Sequence, residues 1–221
     1  MLNKPQMILL DLDGTLIDTV PDLAFCVDAM MDQLGLPTHG EEKVRDWVGN
    51  GMERFVRRAL VGNIKGEPNE ALFQRAYPIF MQLYAENTSQ RSVIYPGVID
   101  ALDYMQAMEY PLGCVTNKAG SFTETLLKDL GLQDYFGVVV SGDTLPTKKP
   151  DPQPLLHAAR KLNAVPLQSL MIGDSVNDVR AARSAGFQVA CVSYGYNHGQ
   201  DIGEAMPDMV IDSLLDLMGI I

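Results

Sequence analysis

Asp11, Asp13 and Asp18 fall within eight residues, directly after the apolar run Met7-Ile8-Leu9-Leu10. Two carboxylates about 4 Å apart repel by roughly 4 kcal/mol at an effective dielectric near 20, so an oily strand that ends in such a cluster calls for something cationic. Further polar groups recur where later apolar runs end. Thr116 and Asn117 close the run at 112–116, and Lys148 and Lys149 follow the run at 138–141, just before Pro150-Asp151-Pro152. Asp174 follows 170–173, with Asn177 and Asp178 close behind. Several carboxylates, a hydroxyl, an amide and an ammonium group at one edge suit a single hard cation held by oxygen ligands. Neither cysteine nor histidine joins the set, which favours magnesium over zinc.

The elements that must position these groups can be read from the second half of the chain. Apolar, β-prone runs at 112–116, 138–141, 170–173, 188–192 and 209–211 alternate with helix-period segments at 98–108, 121–130, 154–163, 177–185 and 213–218. Strands that are apolar throughout, separated by helices, indicate a parallel sheet covered on both faces. Ligands of such sheets bind beyond the carboxyl ends of the strands, where the polar groups collect. Side chains alternate along a strand, so Asp11 and Asp13 project to one side and Leu12 to the other. Gly131 and Gly186 read as residues that end helices, and Ser121 with Glu124 reads as a capping box.

Residues 20–90 break the alternation. Leu23, Val27, Met30, Met31 and Leu34 mark one helix face, with Pro21 early and Gly35 closing it. Helical stretches follow at 41–47, 52–61 and 69–86, and Pro78 inside the last should kink or split it. The expected organisation is a core of residues 1–16 and 91–221 with an all-helical insertion at 17–90.

The net charge of −11 argues against nucleic acid or an anionic membrane as the main partner, because either needs a positive surface. No apolar run approaches the ~18 residues of a membrane span. The first one stops at Asp11, too soon for a signal peptide. The three widely spaced cysteines, Cys26, Cys114 and Cys191, suit reduced core thiols of a cytoplasmic protein.

D-L-D-G-T at 11–15, T-N at 116–117, K-P-D-P at 149–152 and G-D-S-V-N-D at 173–178 resemble, in order and spacing, the four signature motifs of the haloacid dehalogenase superfamily. The resemblance spans essentially the whole chain. It implies an α/β fold with a doubly wound parallel-sheet (Rossmann-like) core and an inserted α-helical cap domain. Phosphatases and phosphomutases of the superfamily carry the second aspartate, here Asp13, and dehalogenases lack it. L-I-D-T-V-P-D-L at 16–23, W-V-G-N-G at 47–51, V-T-N-K at 115–118 and G-D-T-L-P-T-K-K-P at 142–150 are similar to bacterial phosphoglycolate phosphatases.

That resemblance implies a magnesium-dependent phosphomonoester hydrolase acting on a small phosphorylated metabolite, 2-phosphoglycolate. Asp11 would be the nucleophile and Asp13 the general acid and base. Thr116, Asn117 and Lys149 would hold the phosphoryl oxygens. Asp11, Asp13 (through its main-chain carbonyl) and Asp174 would bind magnesium, with Asp178 as ligand or support. Asp18 would line the hinge to the cap or start its first helix. His39, His157 and His198 lie outside every motif. The same core residues would serve another small phosphate ester or a phosphomutase, and a phospho-accepting or metal-binding module without turnover is the alternative from a different class. Selectivity should come from the cap. The turn Val48-Gly49-Asn50-Gly51 can present amides to a substrate carboxylate, and Arg54, Arg57 and Arg58 follow on the next helix. Arg54 and Arg58 share a face, and the turn with Asn50 ranks above any single arginine.

Overall fold

Met7–Leu10 forms β1, and all four of its side chains are buried, as the middle of a sheet covered on both faces requires. The computed structural model describes residues 2–221, which fall into two compact units: the chain up to Asp18 with Ile94–Ile221, and Thr19–Val93. In the first unit the strands are β1, β4 (Leu112–Val115), β5 (Val138–Val140), β6 (Ser169–Gly173), β7 (Gln188–Val192) and β8 (Met209–Ile211). Two-residue strands, β2 (Ile17–Asp18) and β3 (Val93–Ile94), lie where the chain passes from one unit to the other and back. The six longer strands make one sheet in the order β5-β4-β1-β6-β7-β8, with parallel neighbours throughout.

Alternation along the strands divides the core in two. Ile8 and Leu10 join Leu112, Cys114, Leu170 and Ile172 on one face, under α5 (Val98–Ala107) and α6 (Gly120–Asp129). Met7 and Leu9 join Val115, Val140, Met171 and Val189 on the other, under α7 (Gln153–Lys161) and α8 (Val176–Ala185). The expected doubly wound parallel sheet is therefore the one that forms. Its register aligns the strand ends, pairing Leu10 with Cys114 and Ile172, so Asp11, Thr116 and Asp174 all emerge at the same edge.

The second unit contains α1 (Val20–Gln33), α2 (Glu41–Arg45), α3 (Met52–Val61) and α4 (Glu70–Glu86). Phe55 of α3 packs on Phe80 of α4 at 5.6 Å between ring centres, and Phe80 stacks on Tyr84 at 5.7 Å. Asp22 of α1 is fully buried but well satisfied. It accepts hydrogen bonds from the main-chain N–H groups of Arg91 and Ser92 and from the Ser92 hydroxyl, which ties the last segment of the unit to its first helix.

Four local expectations are corrected. Pro78 does not split α4, which runs unbroken from Glu70 to Glu86. Proline removes one hydrogen bond, whereas Phe73, Ala76, Phe80 and Tyr84 keep one continuous buried face. The segment expected to run to residue 47 is helical only over Glu41–Arg45. The capping box at Ser121 does not form, because α6 starts one residue earlier. Ala119 is its cap residue, and the Gly120 N–H donates to Asp143 Oδ1 at 2.9 Å. The helix expected at 213–218 is a single 3-10 turn, Leu214–Leu217, with a capping box of Ser213 and Asp216. No helix among the described residues is long and apolar enough to cross a membrane.

Ile8 is fully buried at the centre of the sheet, whereas Leu167 is 77% exposed. Ile8→Ala should therefore lower the unfolding free energy by about 2–5 kcal/mol in urea titrations. Leu167→Ala should change it by no more than about 0.5 kcal/mol.

Candidate active site

Strand β1 ends where the Asp11 N–H donates to the carbonyl of Ile172 at 2.9 Å, and the chain then folds back on itself. The Leu12 carbonyl accepts from the N–H groups of Leu16 and Ile17, at 3.0 and 3.1 Å. Inside this turn Gly14 has φ +84°, and a Cβ there would lie 2.4 Å from Asp174 Oδ2. Only glycine lets the loop after β1 approach the acid after β6 so closely. The result brings Asp11, Asp174 and Asp178 together, all buried, with carboxylate oxygens within 4.8 Å of one another.

One ammonium group enters this cluster. Lys149 Nζ lies 2.8 Å from Asp11 Oδ1 and 2.7 Å from Asp178 Oδ1, and it donates to the main-chain carbonyl of Val115 at 2.6 Å. Its contact with Asp11 has the separation of an ion pair but not the angle of a hydrogen bond, so Asp11 Oδ1 is buried without a hydrogen-bond donor. Asp178 also closes the capping box of α8, where its Oδ2 accepts from the N–H and hydroxyl of Ser175. Asp174 accepts from the Thr15 hydroxyl at 3.3 Å and from the Tyr196 N–H at 2.8 Å.

Three buried carboxylates lie beside one lysine, and the direction in which each pKa moves follows from that. Burial pushes the Asp11 carboxyl up to about 7; Lys149 opposes the rise and Asp178 adds to it. Burial, with Asp11 and Asp178 nearby, also holds Asp174 well above the usual carboxylate range. Burial works against the Lys149 ammonium, but Asp11 and Asp178 outweigh it and raise its pKa. Asp11 rises despite its lysine because one ammonium group is shared among several acids. An all-carboxylate donor set that crowds three buried acids around one ammonium group fits a hard divalent cation.

Asp13 lies outside the three-acid cluster. Its Oδ1 pairs with Lys118 Nζ at 2.9 Å, and the lysine side chain is only 1% exposed. Lys118 closes the V-T-N-K stretch and is a site residue beyond those expected from the motifs. Its signal was its spacing: the Thr116 hydroxyl accepts the Lys118 N–H at 3.1 Å, a tight turn that sends the lysine back towards the β1 end. Asn117 donates through Nδ2 to the Lys149 carbonyl at 2.8 Å, linking two of the expected phosphate-binding residues, while its Oδ1 is buried without a partner.

In the helical unit, Gly49, Asn50 and Gly51 all have positive φ, at 113°, 63° and 89°. Arg58 holds this turn from behind. It donates to the carbonyls of Trp47 and Gly49 and, at 2.8 Å, to Asn50 Oδ1. Burial and the neighbouring Arg54 lower its pKa. Arg54 is paired with Glu67, and Arg57 with Glu53 and Glu70 beneath the Phe73 ring. All three arginines are thus engaged within the unit. His39 bonds the Ala59 carbonyl and sets its ring edge-on to Trp47, a local structural part.

Comparison with known proteins follows the same lines. A family model described as haloacid dehalogenase-like hydrolase matches residues 8–192. The chain is 59% identical over 221 residues to a protein of Nitrosococcus oceani named phosphoglycolate phosphatase, covering 100% of this chain and 98% of that one. A protein of the same name from Thiobacillus denitrificans is 46% identical over 211 residues, covering 96% and 93%. The crystal structure of a predicted phosphoglycolate phosphatase from Haemophilus somnus superposes with a TM-score of 0.92 at 34% identity, covering 100% of this chain and 99% of that one.

Lys149→Met should leave Asp178 buried without its cation partner. Unfolding measured in the presence of a chelator should lose about 3–5 kcal/mol. An unchanged midpoint would mean that the ion pair does not hold these strands together.

Proposed function

This chain belongs to the haloacid dehalogenase-like hydrolases, and on that premise we propose that it is a phosphomonoester hydrolase whose substrate is 2-phosphoglycolate. The observation that carries the reading is Asp13: a second carboxylate two residues after Asp11, outside the cation cluster and held by a buried lysine. A module that only bound metal or accepted a phosphoryl group would have no use for it.

An Asp11 carboxylate oxygen attacks phosphorus, and the bond from phosphorus to the ester oxygen breaks. Asp13 gives its proton to the departing alkoxide, so glycolate leaves neutral at that oxygen. The aspartyl-phosphate on Asp11 is then hydrolysed as Asp13 takes a proton from the attacking water, which frees phosphate and restores both acids. Lys118 holds Asp13 in place for both transfers. Lys149 supplies positive charge at the phosphoryl oxygens, and the Thr116 hydroxyl and Asn117 complete the phosphate site. Asp11, Asp174, Asp178 and the Asp13 carbonyl would hold magnesium, which when bound would supply the charge that lets an anionic nucleophile meet an anionic ester.

The helical unit serves as the cap that reads the rest of the substrate, residues 17–90 in the sequence reading. Since Arg58 occupies Asn50 Oδ1, the amide Nδ2 of Asn50 and the N–H groups of Gly49 and Gly51 are left to meet the substrate carboxylate. Arg54, turned to Glu67, ranks below them. The buried free thiols of Cys26, Cys114 and Cys191 suit a reducing cytoplasm, the compartment proposed.

Purified protein with magnesium should release phosphate from 2-phosphoglycolate, and chelation should abolish the release reversibly. Asp11→Asn should retain less than about a tenth of the rate, a loss above ~1.4 kcal/mol in the barrier. An isomerised sugar phosphate in place of free phosphate would identify a mutase, and activity without any divalent metal would remove magnesium from the scheme. Asn50→Ala should weaken turnover of phosphoglycolate by up to about 3 kcal/mol, the scale of a lost hydrogen bond to a charged group. A phosphate ester lacking the carboxylate should be much less affected, and equal losses on both substrates would take Asn50 out of carboxylate recognition.

A further inference from the structure

The loop after β7, Ser193-Tyr194-Gly195-Tyr196-Asn197, holds none of the groups that the sequence marked for chemistry, yet it touches both acidic segments of the site. The Tyr196 main-chain N–H donates to Asp174 Oδ2 at 2.8 Å, and the Tyr196 hydroxyl donates to Asp18 Oδ1 at 2.9 Å. The Tyr194 hydroxyl donates to the main-chain carbonyl of Thr15 at 2.8 Å, and the Thr15 hydroxyl donates to Asp174 Oδ1 at 3.3 Å. The contacts therefore run from Asp174 through the loop to residues 15–18 and back to Asp174. At the loop's far end, Asn197 Oδ1 accepts the N–H of Val176, the first residue of α8. That helix carries Asp178.

The shape of the loop leaves Asp174 little room. A Cβ on Gly195 would lie 2.1 Å from Asp174 Cβ, and one on Gly14 would lie 3.0 Å from the Tyr196 ring. Tyr196 is 5% exposed. Asp174 thus has a donor on each oxygen and close backbone at Gly14 and Gly195, which restricts how its carboxylate can turn.

We propose that Tyr194 and Tyr196 are positioning residues for the cation site, pinning the loop whose main-chain N–H orients Asp174. The proposal rests on the reading that Asp11, Asp174 and Asp178 hold a divalent cation. The two hydroxyls act through the loop, donating to the Thr15 carbonyl and to Asp18. They fasten the loop to residues 15–18, and without them the Tyr196 N–H is no longer held against the carboxylate. Loss of a hydrogen-bond partner behind a metal ligand typically weakens metal affinity about 10–100-fold.

The test is magnesium affinity, read from the rise in melting temperature as magnesium is added to chelator-treated protein. Phosphate release is followed in parallel. Tyr196→Phe removes the hydroxyl and keeps the ring and the main-chain N–H. It should weaken magnesium binding about tenfold, and adding Tyr194→Phe should weaken it further. Asp18→Asn, which keeps an acceptor for the hydroxyl, should bind magnesium as the wild type does, whereas Asp18→Ala should resemble Tyr196→Phe. Tyr135→Phe, which removes the bond from an exposed hydroxyl to Asp103, is the control and should leave affinity unchanged. A purely structural role would lower the melting temperature of the magnesium-free protein and leave the affinity alone. That result overturns the proposal. Should the wild type itself show no magnesium-dependent rise, the cation reading falls and this inference falls with it. Wild-type binding with equal affinity in Tyr196→Phe would sink the inference alone.

Discussion

Where β1 and β6 end, three buried acids share one buried ammonium group. Like charges this close repel strongly in a medium less polarisable than water, and burial adds a desolvation cost for each of them. The arrangement persists because the surrounding chain is committed to it from several directions. Lys149 bonds Asp178 and the Val115 carbonyl at once, so it links the end of β4 to the first turn of α8 as well as neutralising charge. Asp178 spends its other oxygen capping α8, which fixes the helix start and the acid together. The sheet register, the helix cap and the ion pair are one interlocked unit.

The loops next to this cluster are shaped by what it excludes. Gly14 stands where any side chain would overlap Asp174. Asp13, one residue earlier, turns from the cluster to its own lysine. This separation matters chemically. Asp13 is the residue proposed to give and take the proton, and Lys118 gives it an ion-pair partner outside the three-acid cluster. Asp11 and Asp13 lie two residues apart, yet one sits among acids and the other faces an ammonium group.

Much of this was legible in the sequence, for a definable reason. Strands buried on both faces must be apolar throughout, so their ends are sharp, and the polar residues that follow must gather at one edge of a parallel sheet. The convergence of Asp11, Thr116, Lys149, Asp174 and Asp178 follows from that rule. What sequence did not reveal depends on distant partners. Tyr196 meets an acid 22 positions away and another 178 positions away, and nothing in S-Y-G-Y-N announces either contact. Lys118 looked like one more lysine until the turn at Thr116 aimed it at Asp13, 105 positions away. The local errors were of another kind. Ser121 with Glu124 has the composition of a capping box, but Asp143, from a different loop, already accepts the first free N–H of α6. Of the kink or split expected at Pro78, the split does not occur, because the buried face of α4 outweighs its one missing hydrogen bond.

The arginines of α3 show most clearly how spacing can suggest a role that tertiary partners redirect. Arg54 and Arg58 do share a helix face, as their spacing requires. Glu67 and the Ile64 carbonyl occupy Arg54, and the carbonyls of Trp47 and Gly49 occupy Arg58. Arg58 is buried among acceptors that are mostly neutral, an environment that lowers the pKa of its guanidinium. Such a cation is costly to place unless its hydrogen bonds are well satisfied. Here it donates to the carbonyls of Trp47 and Gly49, beside three consecutive positive-φ residues, and it takes the acceptor end of the Asn50 amide. The donor end of that amide is what the proposed carboxylate recognition would use. Arg58 thus acts on the turn from behind, and takes the acceptor end of the Asn50 amide while leaving its donor end.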